Sequence, residues 1–140
     1  MDSTVARRRD RRGRGIRGPL VPVTAPLSVT RAARFAGLVM AAVERLEPRW
    51  GPLLAALDVE VLEVPPDGAE VGARAVPLAE HRRGGPGRAP VIVVYRHPVE
   101  LRAPDLLTRV ELLRDLVTEQ LAEILGMDPG ELDPRYDGRG

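Results

Sequence analysis

The sequence predicts an α+β domain: a small mixed sheet of about three strands packed on a first helix and a long C-terminal helix. Three observations carry this. Apolar residues recur at helical spacing in two separated stretches, near residues 35–46 and 106–125. Between them, Asp58-Val-Glu-Val-Leu-Glu-Val64 alternates polar and apolar, as a strand with one wet face does. Finally, Val91-Ile-Val-Val-Tyr95 is a continuous apolar run, suited to a central strand covered on both faces. At 140 residues, 44% of them hydrophobic, the chain has material for one core, and with only 3% aromatic residues that core must be built of Leu, Val and Ala.

Residues 1–29 are rich in Arg, Gly and Pro and lack apolar periodicity, so a disordered arm is expected there. The folded domain should occupy 30–136, with 137–140 a flexible tail. Thr30 suits the N-cap of the first helix, whose apolar positions are Phe35, Leu38, Val39, Ala42, Val43 and Leu46. Pro48 should end it, and a second short helical piece is expected over Pro52 to Leu57, with Trp50 at the corner. Pro65, Pro66, Asp67 and Gly68 stop the alternating strand. A weaker strand is expected from Ala73 to Leu78, and His81 to Pro90 reads as a turn-rich loop.

The long helix should run from about Pro104 to Leu125. Pro104 fits a first helical turn and Gly126 a C-terminal cap. Leu106, Val110, Leu113, Val117, Leu121 and Ile124 share a narrow arc, widened by Leu107, Leu116 and Leu125, and that arc must be buried. Opposite it, Glu111, Asp115, Glu119 and Glu123 stand four apart. Such a row costs an isolated helix ~0.2–0.5 kcal/mol per pair, little against the aliphatic burial beneath it. A solvated acidic face accounts for the row; an acidic partner surface and a hard-cation site are the alternatives.

Charge divides the chain. Arg7, Arg8, Arg9, Arg11, Arg12, Arg14 and Arg17 against Asp2 and Asp10 give the first eighteen residues +5, so with a total of +1 the remainder carries −4. The arm therefore suits weak, nonspecific contact with a polyanion such as nucleic acid, although no aromatic residue is interleaved for base stacking. There is no cysteine, which excludes disulfides and thiolate chemistry and fits a reducing cytoplasm. No apolar run reaches the length of a membrane span. The paired arginines of the arm are followed by Pro19, Pro22 and Pro26 rather than by a signal-peptide apolar stretch. A cytoplasmic protein with no membrane contact is expected.

Reactive residues are few. Ser3 and Ser28, the only serines, lie in the arm. His81 and His97 are the only histidines, each expected in a loop, and a metal site would have to recruit one of them with Glu119 or Glu123. Gly84, Gly85 and Gly87 do not follow a strand and open a helix, as a phosphate loop requires.

The segment Thr118-Glu-Gln-Leu-Ala-Glu-Ile-Leu-Gly-Met-Asp-Pro129 resembles the active-site helix of the small bacterial zincin-like metallopeptidases, where HExxH is followed by xxG and a third, acidic ligand. The order of elements over roughly 30–136 is similar to the minimal zincin-like fold. The arm RRRDRRGRGIRGPL resembles the N-terminus of an actinobacterial branch of that family. The resemblance implies that Gly126 falls on the family's glycine, Glu119 and Glu123 on its two histidines, Gln120 on the catalytic glutamate and Pro129 on the third ligand. Catalytic zinc needs good protein donors plus an open position, and the general base must accept a proton from the bound water. Two carboxylates, a proline and an amide supply neither set. The expectation is therefore a pseudoenzyme without cofactor or zinc, its former HExxH helix kept as structure or acidic partner surface. A metal-dependent peptidase or hydrolase with a carboxylate site, and a polyanion-binding accessory protein acting through the arm, are the alternatives.

Overall fold

In the computed structural model, helices pack on a small mixed sheet. The structure describes residues 30–66 and 76–138, together with the backbone of 5–6 and 16–17. Two-residue strands β1 (Val5–Ala6) and β2 (Ile16–Arg17) pair antiparallel. Helix α1 (Arg31–Glu44) starts where the sequence indicates, with Thr30 Oγ1 accepting from the Ala33 N–H at 3.0 Å. Pro48 does not end it. It sits in the first turn of α2 (Glu47–Ala55), where a missing N–H is harmless, and the helix kinks at Trp50.

Strand β3 (Asp58–Leu62), β4 (Ala79–Arg82) and β5 (Val91–Tyr95) form a sheet of order β3-β5-β4, with β5 parallel to β3 and antiparallel to β4. The apolar run is thus the central strand, buried along Ile92 to Tyr95. β3 stops two residues earlier than the alternation suggests. The weak strand is misplaced in the sequence reading: Val76 to Leu78 are not strand, Ala73 to Ala75 lie outside the described residues, and β4 instead takes the first residues of the expected loop. Its sequence, Ala-Glu-His-Arg, carries no apolar alternation because β4 is an edge strand, held by the ladder to β5 rather than by burial.

A short helix α3 (Arg96–Arg102), absent from the sequence reading, follows β5 directly and leads into α4 (Leu106–Leu125). Pro104 lies outside α4. The N-cap is Asp105, which accepts from the Thr108 N–H at 3.1 Å. Gly126 closes the helix with φ 72°, a left-handed conformation that disfavours any residue with a Cβ. A last short helix, α5 (Pro129–Leu132), is capped by Asp128.

The core lies between the sheet face carrying Val59, Val61, Ile92 and Val94 and the helices α1 and α4, which contribute Phe35, Val39, Val43, Leu113, Val117 and Leu121. The predicted apolar arc of α4 holds only from its second turn on. Leu106 and Leu107 are 61% and 67% exposed, while Leu112 and Ala122 are buried instead. Length is the reason: a twenty-residue helix spans ~30 Å, whereas a five-residue strand covers only ~17 Å, so the first turn of α4 projects past the sheet. No helix among the described residues is long and apolar enough to cross a membrane.

Candidate functional site at the edge strand and the long helix

Alternation along β4 decides which of its side chains meet α4. Register pairs Ala79 with Val94 and His81 with Ile92, so both point to the helix-covered face of the sheet. Glu80 and Arg82 point the other way, where the Tyr95 hydroxyl donates to Glu80 at 3.1 Å and Arg82 meets Glu60 at 3.4 Å. Burial and the Glu80 carboxylate push the Tyr95 phenol up to about 12. His81 is thus carried from its expected loop onto the wall beside α4, the correction that creates the site.

There His81 Nδ1 lies 2.8 Å from Gln120 Oε1 and 3.5 Å from Glu123 Oε1. An amide oxygen only accepts, so the contact is a hydrogen bond in the Nδ1–H tautomer, with Nε2 not engaged by Gln120. The residue just before Gln120 makes a second contact: the Tyr136 hydroxyl donates to Glu119 Oε2 at 2.6 Å. That hydrogen bond first, then burial and the charges of Glu119, Asp115 and Asp128, push the Tyr136 phenol up to about 12. Pro129 opens α5 with its ring, offering no side-chain donor atom to a metal.

The acidic row does not form one solvated face. Steps of four residues drift by about 40° around an α-helix, so four such positions sweep ~120°. Glu111 is exposed, Asp115 is buried at 9% exposure, Glu119 is held by Tyr136 and Glu123 stands beside His81. His97 does not join them. It lies in the first turn of α3, 3.4 Å from Glu63, which also takes the Arg96 guanidinium at 2.5 Å. Among the described residues, no three His, Asp or Glu side chains converge as a metal-holding group. Of the arm arginines, Arg7, Arg8, Arg9, Arg11, Arg12 and Arg14 lie outside the described residues, and Arg17 is described by backbone alone.

One feature escaped the sequence pattern, and a second was expected only as a turn-rich loop. The first is the strap formed by residues 128–138, which crosses back to α1 and α4. The Trp50 indole N–H donates to the Leu132 carbonyl at 3.0 Å, and Arg45 pairs with Asp133 at 2.5 Å. Burial alone would raise the Asp133 carboxyl. The Arg45 hydrogen bond, the Arg135 backbone N–H and the charges of both arginines outweigh it, and the net shift is downward. The second is a tongue after β4. Gly85 and Arg88 exchange backbone hydrogen bonds of 2.9 and 2.8 Å around Pro86-Gly87. A Cβ on Gly84 would come within 2.7 Å of the Arg88 carbonyl, so the chain folds this tightly only with glycine there. Glycines at 84, 85 and 87 were the available signal for the tongue.

The tongue and α4 enclose a cavity of about 480 Å³ lined by His81, Arg83, Arg88 and Glu123 among others. A larger one, about 610 Å³, lies at the strap, where arginines such as Arg114 and Arg135 face Glu111, Asp115 and Asp137, and its charges are close to balance. No known family model matches this sequence, and no curated protein aligns with it significantly.

Proposed function

We propose that this chain is a non-catalytic protein of zincin-like ancestry, in which α4 is retained as a structural and binding element. The reading rests on the order of elements and on the motif positions quoted above. The observation that carries it is the hydrogen bond from His81 Nδ1 to Gln120. In the Nδ1–H tautomer that this contact requires, Nδ1 has no lone pair to offer a cation. Gln120, at the position of a general base, is an amide that takes up no proton near neutral pH and already accepts one hydrogen bond. Glu119, at a ligand position, is engaged by Tyr136. A cysteine-free composition suits action in the cytoplasm.

Elemental analysis of untagged protein, with peptide hydrolysis assayed with and without chelator, tests this. The expected result is metal far below one equivalent and no chelator-sensitive cleavage. One equivalent of a divalent ion, with cleavage abolished by chelator, overturns it and restores the metallohydrolase built on Glu119, Glu123 and His81. A second reading, weak nucleic-acid binding through the arm, is favoured by the +5 against −4 division of charge. Deleting residues 1–18 should then remove the salt-dependent affinity.

A further inference from the structure

Among the described residues, two guanidinium groups and an imidazole line the tongue cavity. Arg83 and Arg88 are exposed, and among the described residues neither guanidinium has a hydrogen-bond or ion-pair partner. They contrast with Arg45, Arg82 and Arg96, each of which meets a carboxylate. The third group is His81, held in place by Gln120 through Nδ1, so that Nε2 is the nitrogen left for a ligand. Among the described residues Glu123 is the one carboxylate that lines the cavity, and its side chain is 64% exposed, which lets solvent screen it.

We infer that this cavity binds the phosphate group of a small phosphate monoester. Guanidinium groups match phosphate oxygens through paired N–H donors, and two of them balance a dianion that a single arginine does not. The tongue is already braced by the reciprocal Gly85–Arg88 hydrogen bonds and the close approach at Gly84, so the backbone carrying both arginines is ordered before a ligand arrives. A volume of about 480 Å³ takes a phosphorylated small molecule. Among the described residues no Phe, Tyr or Trp lines the cavity to stack on a nucleobase, which favours a small monoester over a nucleic-acid strand. The inference rests on the non-catalytic reading, because a cation held by His81 and Glu123 would claim the same wall.

The test is titration of the full-length, isotope-labelled protein with inorganic phosphate, then phenyl phosphate, then a short DNA duplex, followed through the His81 ring and the Arg83 and Arg88 guanidinium signals. Saturable shifts at these three residues at millimolar phosphate or below are expected, with phenyl phosphate at least as tight. Arg83→Gln and Arg88→Gln should each weaken binding about tenfold while the rest of the spectrum stays unchanged. Glu123→Gln should retain the affinity. Absence of saturable shifts, or equal affinity in the Arg83→Gln/Arg88→Gln double variant, overturns the phosphate site and leaves the non-catalytic reading standing. Shifts produced by the duplex alone likewise reject a monoester site. Phosphate binding that appears only with an added divalent ion, and is lost in Glu123→Gln, overturns the non-catalytic reading as well.

Discussion

The C-terminal strap and the arginine tongue both lie against α4, yet their polar side chains end in opposite conditions. Along the strap, Trp50 is paired with the Leu132 carbonyl, Arg45 with Asp133 and Tyr136 with Glu119, and of the buried side-chain N and O atoms among the described residues only Arg45 Nε lacks a hydrogen-bond partner. Leu132 and Asp133 are buried beneath these contacts. On the tongue the backbone is matched and the side chains are not, since Arg83 and Arg88 are exposed and make no ion pair among the described residues. Arginine occurs in both regions, so residue type does not separate them. Burial does: a guanidinium that is half-enclosed must find a carboxylate or lose more in desolvation than it gains, whereas an exposed one keeps its hydration and remains available to a ligand.

The sharpest way to break this comparison is Asp133→Ala. Removing the carboxylate leaves the Arg45 guanidinium partly buried without its charge partner, and a loss of about 2–3 kcal/mol in denaturant unfolding is expected. Because the folded Asp133 carboxyl is held below its ordinary value of 3.8, its contribution is fully present above that pH. It disappears as pH falls further, through the folded value. The acid limb of the stability profile should therefore flatten in the variant. No change in midpoint or acid limb would mean the strap merely lies on the surface.

Tyr136→Phe should have a smaller effect, about 1 kcal/mol, for one hydrogen bond to a carboxylate at a half-buried site. The phenol is raised from 10.0 to about 12, so its contribution is complete below pH 10 and is lost as pH rises through 12. Alkaline unfolding of the wild type should carry a component that the variant lacks. On the tongue, Arg88→Gln should change stability by no more than about 0.5 kcal/mol in thermal or denaturant unfolding. A larger loss would show that the tongue arginines brace the fold, and the contrast with the strap would vanish.

Within the candidate site, legibility followed how local the signal was. Thr30 and Gly126 declared the ends of α1 and α4 because capping is settled by one or two side chains and a single φ. The run Val91 to Tyr95 declared the central strand because only a doubly covered strand tolerates such continuous apolarity. β4 was misread because an edge strand with polar side chains on both faces has no periodicity to detect. With it went the placement of His81, since a shift of a few residues changes which element a side chain belongs to and which way it faces. The acidic row was legible as spacing but not as exposure, because what buries Asp115 and engages Glu119 arrives from elsewhere in the chain.

The sequence by itself determined the α+β class, the central strand, the two principal helices and the identity of a helix bearing Glu119, Gln120 and Glu123, all consequences of patterns that recur within a few residues. Only the tertiary structure decided that His81, 39 residues before Gln120, meets it, that Tyr136 holds Glu119, and that Arg83 and Arg88 line a cavity with His81 and Glu123. Those pairings depend on strand order, register and the direction in which the strap crosses α4. Each is set by how whole elements pack, and a contact between distant residues leaves no periodic trace in either segment that makes it.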